Sequence, residues 1–149
     1  MLQLKLITKG LDELFASLGK LQTRLKNLKP ALREISSLVL MPAIKERFYA
    51  ERAADGTPWR ALKDDTVARR LRGHYGGAHP MLQRDYTLVK SIQERLISSN
   101  SIVIGSDVPY AGYLMNGTKN MVARPFIGIS AEDLNKSAVV LLRHLNQTL

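Results

Sequence analysis

Asp64 and Asp65 form the carboxylate pair best placed for acid–base catalysis, but their spacing argues against an active site. Asp64 and Asp65 are adjacent, and adjacent side chains on a helix diverge, so they cannot flank one substrate bond. A helix cap is the commoner role of such a pair. No Ser, His and Asp carry the local signature of a triad, so we predict no catalytic residue and no enzyme activity. A triad assembled from distant residues is the alternative.

The histidines and glycines also lack the spacing that a metal site or a phosphate-binding loop needs. His74 and His79 do not have the one-turn separation of a helical metal-binding pair, and the chain contains no cysteine. Gly73, Gly76 and Gly77 are not followed by the Lys and Ser or Thr of a phosphate-binding loop. We therefore predict no metal site, no cofactor-binding residue and no cofactor.

The charge balance departs from that of an average globular chain. The 149 residues include 22 Lys and Arg against 13 Asp and Glu, which gives a formal net charge of +9. This excess attracts acidic partners, namely nucleic acid, anionic lipid or an acidic protein, and solubility alone is the alternative. No apolar run is long enough to span a bilayer. The absence of cysteine fits a reducing cytoplasm.

A basic segment in the middle of the chain is the candidate contact site. It contains Arg69, Arg70 and Arg72, followed by Tyr75 in a glycine-rich stretch. One interpretation is a solvated, mobile loop over residues 72–80; the other is a basic element that touches phosphate backbone while Tyr75 stacks on a base. A nucleic-acid-binding regulator would need a recognition helix, and these residues have loop-like surroundings, which argues against that alternative.

Helices are predicted at both ends of the chain. The leucine stripe of residues 11–28 predicts a helix that packs on the domain or on a neighbouring subunit, and a free-standing coiled coil is the alternative. Pro30 predicts a break and a second helix, bent again at Pro42 and ending near residues 52–54. A capping box at Ser130 starts a final helix that runs to about residue 146. Its predicted core face comprises Leu134, Ala138, Leu141, Leu142 and Leu145.

A small sheet is predicted between these helices. The β-branched run at residues 101–105 and the segment at 91–97 predict two strands joined by a hairpin. The predicted fold class is therefore α+β, with N-terminal and C-terminal helices packed on a small antiparallel sheet. We expect one domain over residues 1–149, divided into a helical part (1–54), a loop and sheet part (55–129) and a C-terminal helix (130–149).

The single tryptophan, Trp59, follows the turn signal of Asp55 and Gly56. A lone Trp after a turn usually anchors a loop to the core by burying its ring. The alternative is a hot spot for partner binding. We favour the anchor, because Trp burial is common and no second aromatic residue lies beside it in the sequence.

The stretch from Val108 to Ile129 carries the most distinctive residues. Together with Phe48 and the Asp-Gly-Thr-Pro-Trp run at 55–59, it resembles the phage virion morphogenesis family, the tail-completion proteins of Mu-like and P2-like bacteriophages. The match runs from Phe48 to Leu145. Its structural landmarks include Gly56, Trp59, Tyr110, Gly117, Arg124, Pro125 and Phe126. Tyr86 departs from the pattern, which usually has a glycine there.

The resemblance implies a structural, non-catalytic protein that completes the head-proximal end of the tail in head–tail joining. It implies an α+β domain that assembles as a homo-oligomeric ring. The expected partners are the tail tube or terminator and head–neck proteins, with duplex DNA passing through the ring. One hypothesis is that Arg69, Arg70 and Arg72 face its phosphates, and docking of the basic loop on an acidic neighbour is the alternative. The expected location is the head–tail junction of the virion, and the host cytoplasm during assembly. A small basic nucleic-acid-binding protein is the alternative.

Overall fold

The N-terminal half of the chain is a run of helices interrupted where the sequence predicts. A computed structural model describes residues 11–96 and 98–146. Helix α1 spans Leu11–Lys26 and helix α2 spans Lys29–Ile35. Pro30 lies in the first turn of α2, where its missing N–H removes no intrahelical hydrogen bond. The predicted break before Pro30 is therefore confirmed.

A widened turn joins α2 to the next helix. Ser36–Leu40 forms a π-helical segment that leads directly into α3, Met41–Ala50. The N–H of Met41 reaches back five residues to the carbonyl of Ser36. Pro42 follows at once, and a proline that offers no N–H is a common cause of such a departure from α-helical bonding. Helix α3 then ends at Glu51, which is left-handed with φ 52°.

The second half alternates short helices with one hairpin. In chain order, these elements are α4 (Asp64–Arg72), α5 (Thr87–Lys90), β1 (Ile92–Leu96), β2 (Ile102–Ser106), α6 (Ala111–Asn116) and α7 (Ala131–Asn146). Strands β1 and β2 pair antiparallel, with Ile92 opposite Ser106 and Leu96 opposite Ile102. The α+β class and the predicted hairpin are confirmed; Ile97, at the end of the predicted first strand, lies outside the described residues.

The main core lies where α3 meets the loops that follow it. Phe48 packs edge-to-face on Trp59, and the centroids of these two rings are 5.7 Å apart. The ring centroids of Phe48 and Phe126 are 5.4 Å apart. Ile44, Met81, Leu88, Ile92 and Ala111 complete the buried cluster. A second cluster joins α2, the π-helical segment and α7. Ile104 of β2 packs against both clusters, so the hairpin bridges the helices.

The core face predicted for α7 is confirmed only in part: Leu141 packs against the second cluster and Leu145 is half-buried, but the other predicted residues are exposed. Leu134 and Leu142 are 58% and 57% exposed, whereas Asp133 and Val140 are buried. The helix is turned so that the Asp133 carboxylate meets a buried arginine of α3, Arg47. The exposed apolar side chains of α7, here called the α7 stripe, are Leu134, Ala138, Val139 and Leu142.

The N-terminal leucines are also largely uncovered. Leu14, Phe15, Leu18 and Leu25 of α1 are 48–66% exposed and are here called the α1 stripe. Helix α1 touches α7, and the guanidinium of Arg24 donates a hydrogen bond to the carbonyl of His144. Within the described chain, this helix therefore packs on the fold through only part of its apolar surface.

Candidate functional site

The corner formed by residues 59–61 and 124–126 is built around Arg124. This side chain is buried, and its Nε and Nη2 donate to the carbonyls of Arg60 and Ala61 at 2.9 and 3.0 Å. Its own N–H donates to the carbonyl of Leu114 at 2.7 Å. Burial, and then the charge of nearby Arg60, lower the pKa of Arg124. The guanidinium therefore serves as a fixed crosslink between two loops.

Trp59 closes the same corner from the opposite direction. Its indole Nε1 donates to the carbonyl of Pro125 at 2.9 Å, and its ring is 5% exposed. The anchor interpretation is thus the one that the structure supports. Phe48 and Phe126, distant in sequence, supply the neighbouring aromatic rings.

The other landmark residues shape turns around this corner. Gly117 ends α6 with φ 74° and ψ 178°, a conformation that essentially only glycine adopts. A Cβ placed there would lie 2.8 Å from the backbone nitrogen of Ala123. Gly56 has φ 85° in an open turn, and Tyr110 is 42% exposed at the start of α6.

Tyr86 occupies the position where the resemblance leads one to expect glycine. It has φ 60° and ψ 4°, in the left-handed region that glycine adopts without strain. The backbone turn before α5 is therefore the glycine-type turn, although a bulky side chain occupies it.

The start of α7 is fixed by a buried ion pair. Arg47 bonds the carboxylate of Asp133 and the carbonyl of Gly128. The same carboxylate accepts the N–H of Ser130 at 2.9 Å, and Ser130 Oγ accepts the N–H of Asp133 at 3.1 Å. Burial raises the pKa of Asp133, but the Ser130 hydrogen bonds and the Arg47 charge outweigh it and hold the pKa below its ordinary value. The predicted capping box is confirmed.

The three candidate arginines lie on helix α4, which corrects the loop-like surroundings inferred for them. Arg69 and Arg72 are exposed, whereas Arg70 is 7% exposed. Arg70 Nη2 donates to the carbonyls of Tyr75 and Pro80 at 3.1 and 2.7 Å. Arg70 is therefore bound within the chain, and only Arg69 and Arg72 present their charges to solvent.

The glycine-rich loop after α4 has defined contacts. Arg70 holds two of its carbonyls, and Glu51 bonds the His79 ring and accepts the N–H of Met81 at 2.6 Å. Tyr75 is 47% exposed, and the guanidinium carbon of Arg84 lies 5.1 Å from the centre of its ring. The loop thus presents Tyr75 and Arg84 together beside α4.

A cationic groove runs from this loop to the corner. It consists of two concavities of about 360 and 780 Å³ that share Leu62, Thr66, Arg69 and Leu82. Cations from five parts of the chain line it, and among its described lining residues there is no Asp or Glu. These cations are Arg60, Lys63, Arg69, Arg70, Arg84, Lys119 and Arg124.

Sequence reasoning found only two members of this groove by their charge, Arg69 and Arg70. Arg60 and Lys63 belong to the same basic stretch of residues 60–80 but are not predicted as contact residues, and Arg84 and Lys119 lie outside this stretch. They meet only after the corner brings residues 60–63 next to residues 118–124; Lys63 Nζ, for example, lies 3.4 Å from the carbonyl of Asn120. No local pattern marks such a site.

In residues 11–96 and 98–146, no three His, Cys, Asp or Glu side chains come together as a metal-binding group. None of the helices described is both long and apolar enough to cross a membrane. The cationic groove and the two apolar stripes are among the features that this part of the chain offers to a partner.

Comparison with known proteins agrees with the landmark residues. The family model of the phage virion morphogenesis family matches residues 9–146. A similar protein is the Mu-like prophage FluMu G protein 1 of Haemophilus influenzae, 27% identical over 109 residues that cover 73% of this chain and 74% of the relative. No solved structure matches.

The chain belongs to the phage virion morphogenesis family, since the matched region covers nearly all of it. The resemblance inferred from its landmark residues is confirmed, and the match also includes α1, which begins at Leu11. The protein therefore has a structural role in the assembly of phage virions.

Proposed function

We propose that this protein completes the head-proximal end of the phage tail and allows tails to join filled heads, without catalysing a reaction. Membership of the virion morphogenesis family supports an assembly role. The observation that carries the proposal is the kind of surface that the chain presents: two apolar stripes and an open cationic groove, which suit contacts with other proteins.

Self-association into a ring is part of this proposal. The α1 and α7 stripes each leave several large apolar side chains in solvent, more than a scatter of single residues on a monomer. A second copy of the chain would cover them, and a closed ring would repeat the same contact around an axis. Tail tube or terminator proteins and head–neck proteins are the proposed neighbours of the ring.

The proposed contact with passing DNA involves fewer residues than the sequence suggested. Arg70 donates to carbonyls of its own chain and is buried. Arg69, Arg72 and Tyr75 are exposed and are the remaining candidates to face phosphates or bases. We expect Ala substitutions of Arg69 and Arg72 to weaken DNA retention in filled heads while assembly continues; unchanged retention would remove DNA contact from the proposal.

The test of the main proposal is electron microscopy of lysates from a phage or induced prophage with an early stop codon in this reading frame. We expect filled heads and separate, unjoined tails, and we expect a plasmid-borne intact copy to restore whole particles. Intact and infectious particles from the stop mutant would refute the proposal. Intact particles, together with salt-sensitive binding of duplex DNA by the purified protein, would favour the small nucleic-acid-binding alternative.

A further inference from the structure

The cationic groove has a charge that its described lining residues do not neutralise. Seven cationic side chains line it and no described lining residue is acidic. Asp85 lies 3.5 Å from Arg84, but this exposed pair offsets only one of the seven. Clustered like charges favour an anionic ligand, which lowers their mutual repulsion when it binds.

One buried donor at the bottom of the groove also lacks an acceptor. Arg70 lines the smaller concavity and is 7% exposed, and its Nε has no hydrogen-bond partner among the described residues. A buried guanidinium donor without an acceptor is costly. The charge of Arg70 therefore adds to the positive potential of this concavity, while its Nη2 remains bound to two carbonyls of the loop.

The groove lining also contains apolar side chains, which restrict the chemistry of the ligand. These are Leu62, Leu82, Leu114, Met121 and Val122. They make no favourable contact with a phosphodiester backbone. Tyr75 is the single aromatic residue in the described lining, so the groove lacks successive platforms for stacked bases. Volumes of about 360 and 780 Å³ suit a few side chains.

We propose that the cationic groove docks an extended segment of another protein in which acidic and apolar side chains alternate. The acidic side chains meet the cations of the groove, and the apolar ones cover its leucine, methionine and valine side chains. This goes beyond the role in head–tail joining, because it names the chemistry of a partner and the surface that receives it. The binding does not depend on the assembly role and is measurable with the purified chain.

The test uses fluorescence anisotropy of a labelled peptide made of Asp-Leu repeats, titrated with the purified full chain. A peptide of Asp-Ser repeats has the same charge without the apolar side chains, and we expect it to bind about tenfold more weakly. Arg69→Glu and Lys119→Glu, which reverse charges at different parts of the groove, are each expected to weaken binding of the Asp-Leu peptide by about tenfold.

Arg72→Glu is the matched control. Arg72 lies on the same helix as Arg69 and is exposed, but it does not line the groove. Its substitution by Glu changes the net charge by the same amount as Arg69→Glu. We expect its affinity for the peptide to change less than about twofold. Circular dichroism and thermal unfolding establish that each variant is folded. Arg70 is left unchanged because it also holds the loop.

Four results would overturn the proposal. The first is absence of measurable binding of the Asp-Leu peptide. The second is equal weakening by Arg72→Glu, which would indicate diffuse charge attraction. The third is tighter binding of an oligothymidine strand that responds to the same groove substitutions, since this would assign the groove to nucleic acid. The fourth is dissociation of an oligomer of the chain by Arg69→Glu, which would assign the groove to a second copy.

Discussion

Gly117 shows how a single residue can fix the corner. Its φ of 74° with ψ 178° is strained for any L residue, and an added Cβ would meet the backbone of Met121 and Ala123 at 2.9 and 2.8 Å. We expect Gly117→Ala to lower the free energy of unfolding by about 2 kcal/mol or more. Chemical denaturation of the purified protein measures this loss.

Gly112 is the control for that substitution. It lies in α6 and a Cβ there meets nothing within 4 Å. Gly112→Ala should raise the free energy of unfolding by about 0.5 kcal/mol, because alanine favours a helix more than glycine does. Equal losses from the two substitutions would show that the strain at Gly117 does not decide the outcome.

The sequence predicts some residue roles better than others. The turn signal before Trp59 predicts an anchor, because a large ring after a turn is a local feature. The role of Arg124 is not predictable in this way, since its acceptors are carbonyls 63 and 64 positions upstream. Every residue has a backbone carbonyl, so the identities of residues 60 and 61 do not indicate that they accept hydrogen bonds from an arginine.

At the scale of elements, the contact between α3 and α7 depends on one ion pair. Asp133 has a pKa held below its ordinary value of 3.8. A carboxyl whose pKa is lowered by folding stabilises the folded state fully above its unfolded pKa and loses that contribution as pH falls through its folded pKa. We therefore expect part of the stability to disappear below about pH 4, and Asp133→Asn to remove this part.

At neutral pH the same substitution leaves Arg47 buried and uncompensated. We expect Asp133→Asn to cost about 3 kcal/mol, as measured by urea unfolding. Glu132→Gln is the control, because Glu132 is exposed and pairs only with Lys136 one turn away; its change should stay within about 0.5 kcal/mol. An equal loss of unfolding free energy in both variants would mean that the buried ion pair contributes no more to stability than the exposed one.

Helix α7 also shows the limit of periodicity. Leu134 and Leu142, predicted to face the core, lie in the exposed α7 stripe, whereas Leu141 does pack on the core. Periodicity reports only that one face is apolar and not what covers it. The polar residue Asp133 contributes to the orientation through a partner 86 positions upstream. The existence and bounds of the helix were therefore predictable, and its buried face was predictable only in part.

At the scale of the whole molecule, the exposed stripes predict self-association. We expect the purified protein to elute from size exclusion with a light-scattering mass of several chains. Leu18→Glu in α1 and Leu142→Glu in α7, both at exposed positions, should shift it towards the monomer while circular dichroism shows that the chain stays folded.

Lys20→Gln changes the net charge by the same amount at an exposed position on the opposite side of α1 and should leave the mass unchanged. A monomeric native protein would contradict the proposed ring. If Leu18→Glu and Leu142→Glu unfold the protein, these side chains support the fold itself and the stripes would need another explanation.

The charge of the molecule was evident from composition, but its arrangement was not. Net charge predicts an acidic partner without locating it. The groove arises because the corner brings separate loops together, and the sequence gives no local sign of that meeting.

The two crosslinks of the corner have a consequence for motion. The Arg124 side chain bonds the backbone of residues 60 and 61, while the Trp59 side chain bonds the backbone of Pro125. A side chain of each loop thus bonds the main chain of the other. Neither loop can move away without breaking the two hydrogen bonds donated by Arg124 and the one donated by Trp59. Amide hydrogen exchange across the two loops should therefore follow one shared opening event, although more than sixty residues separate them.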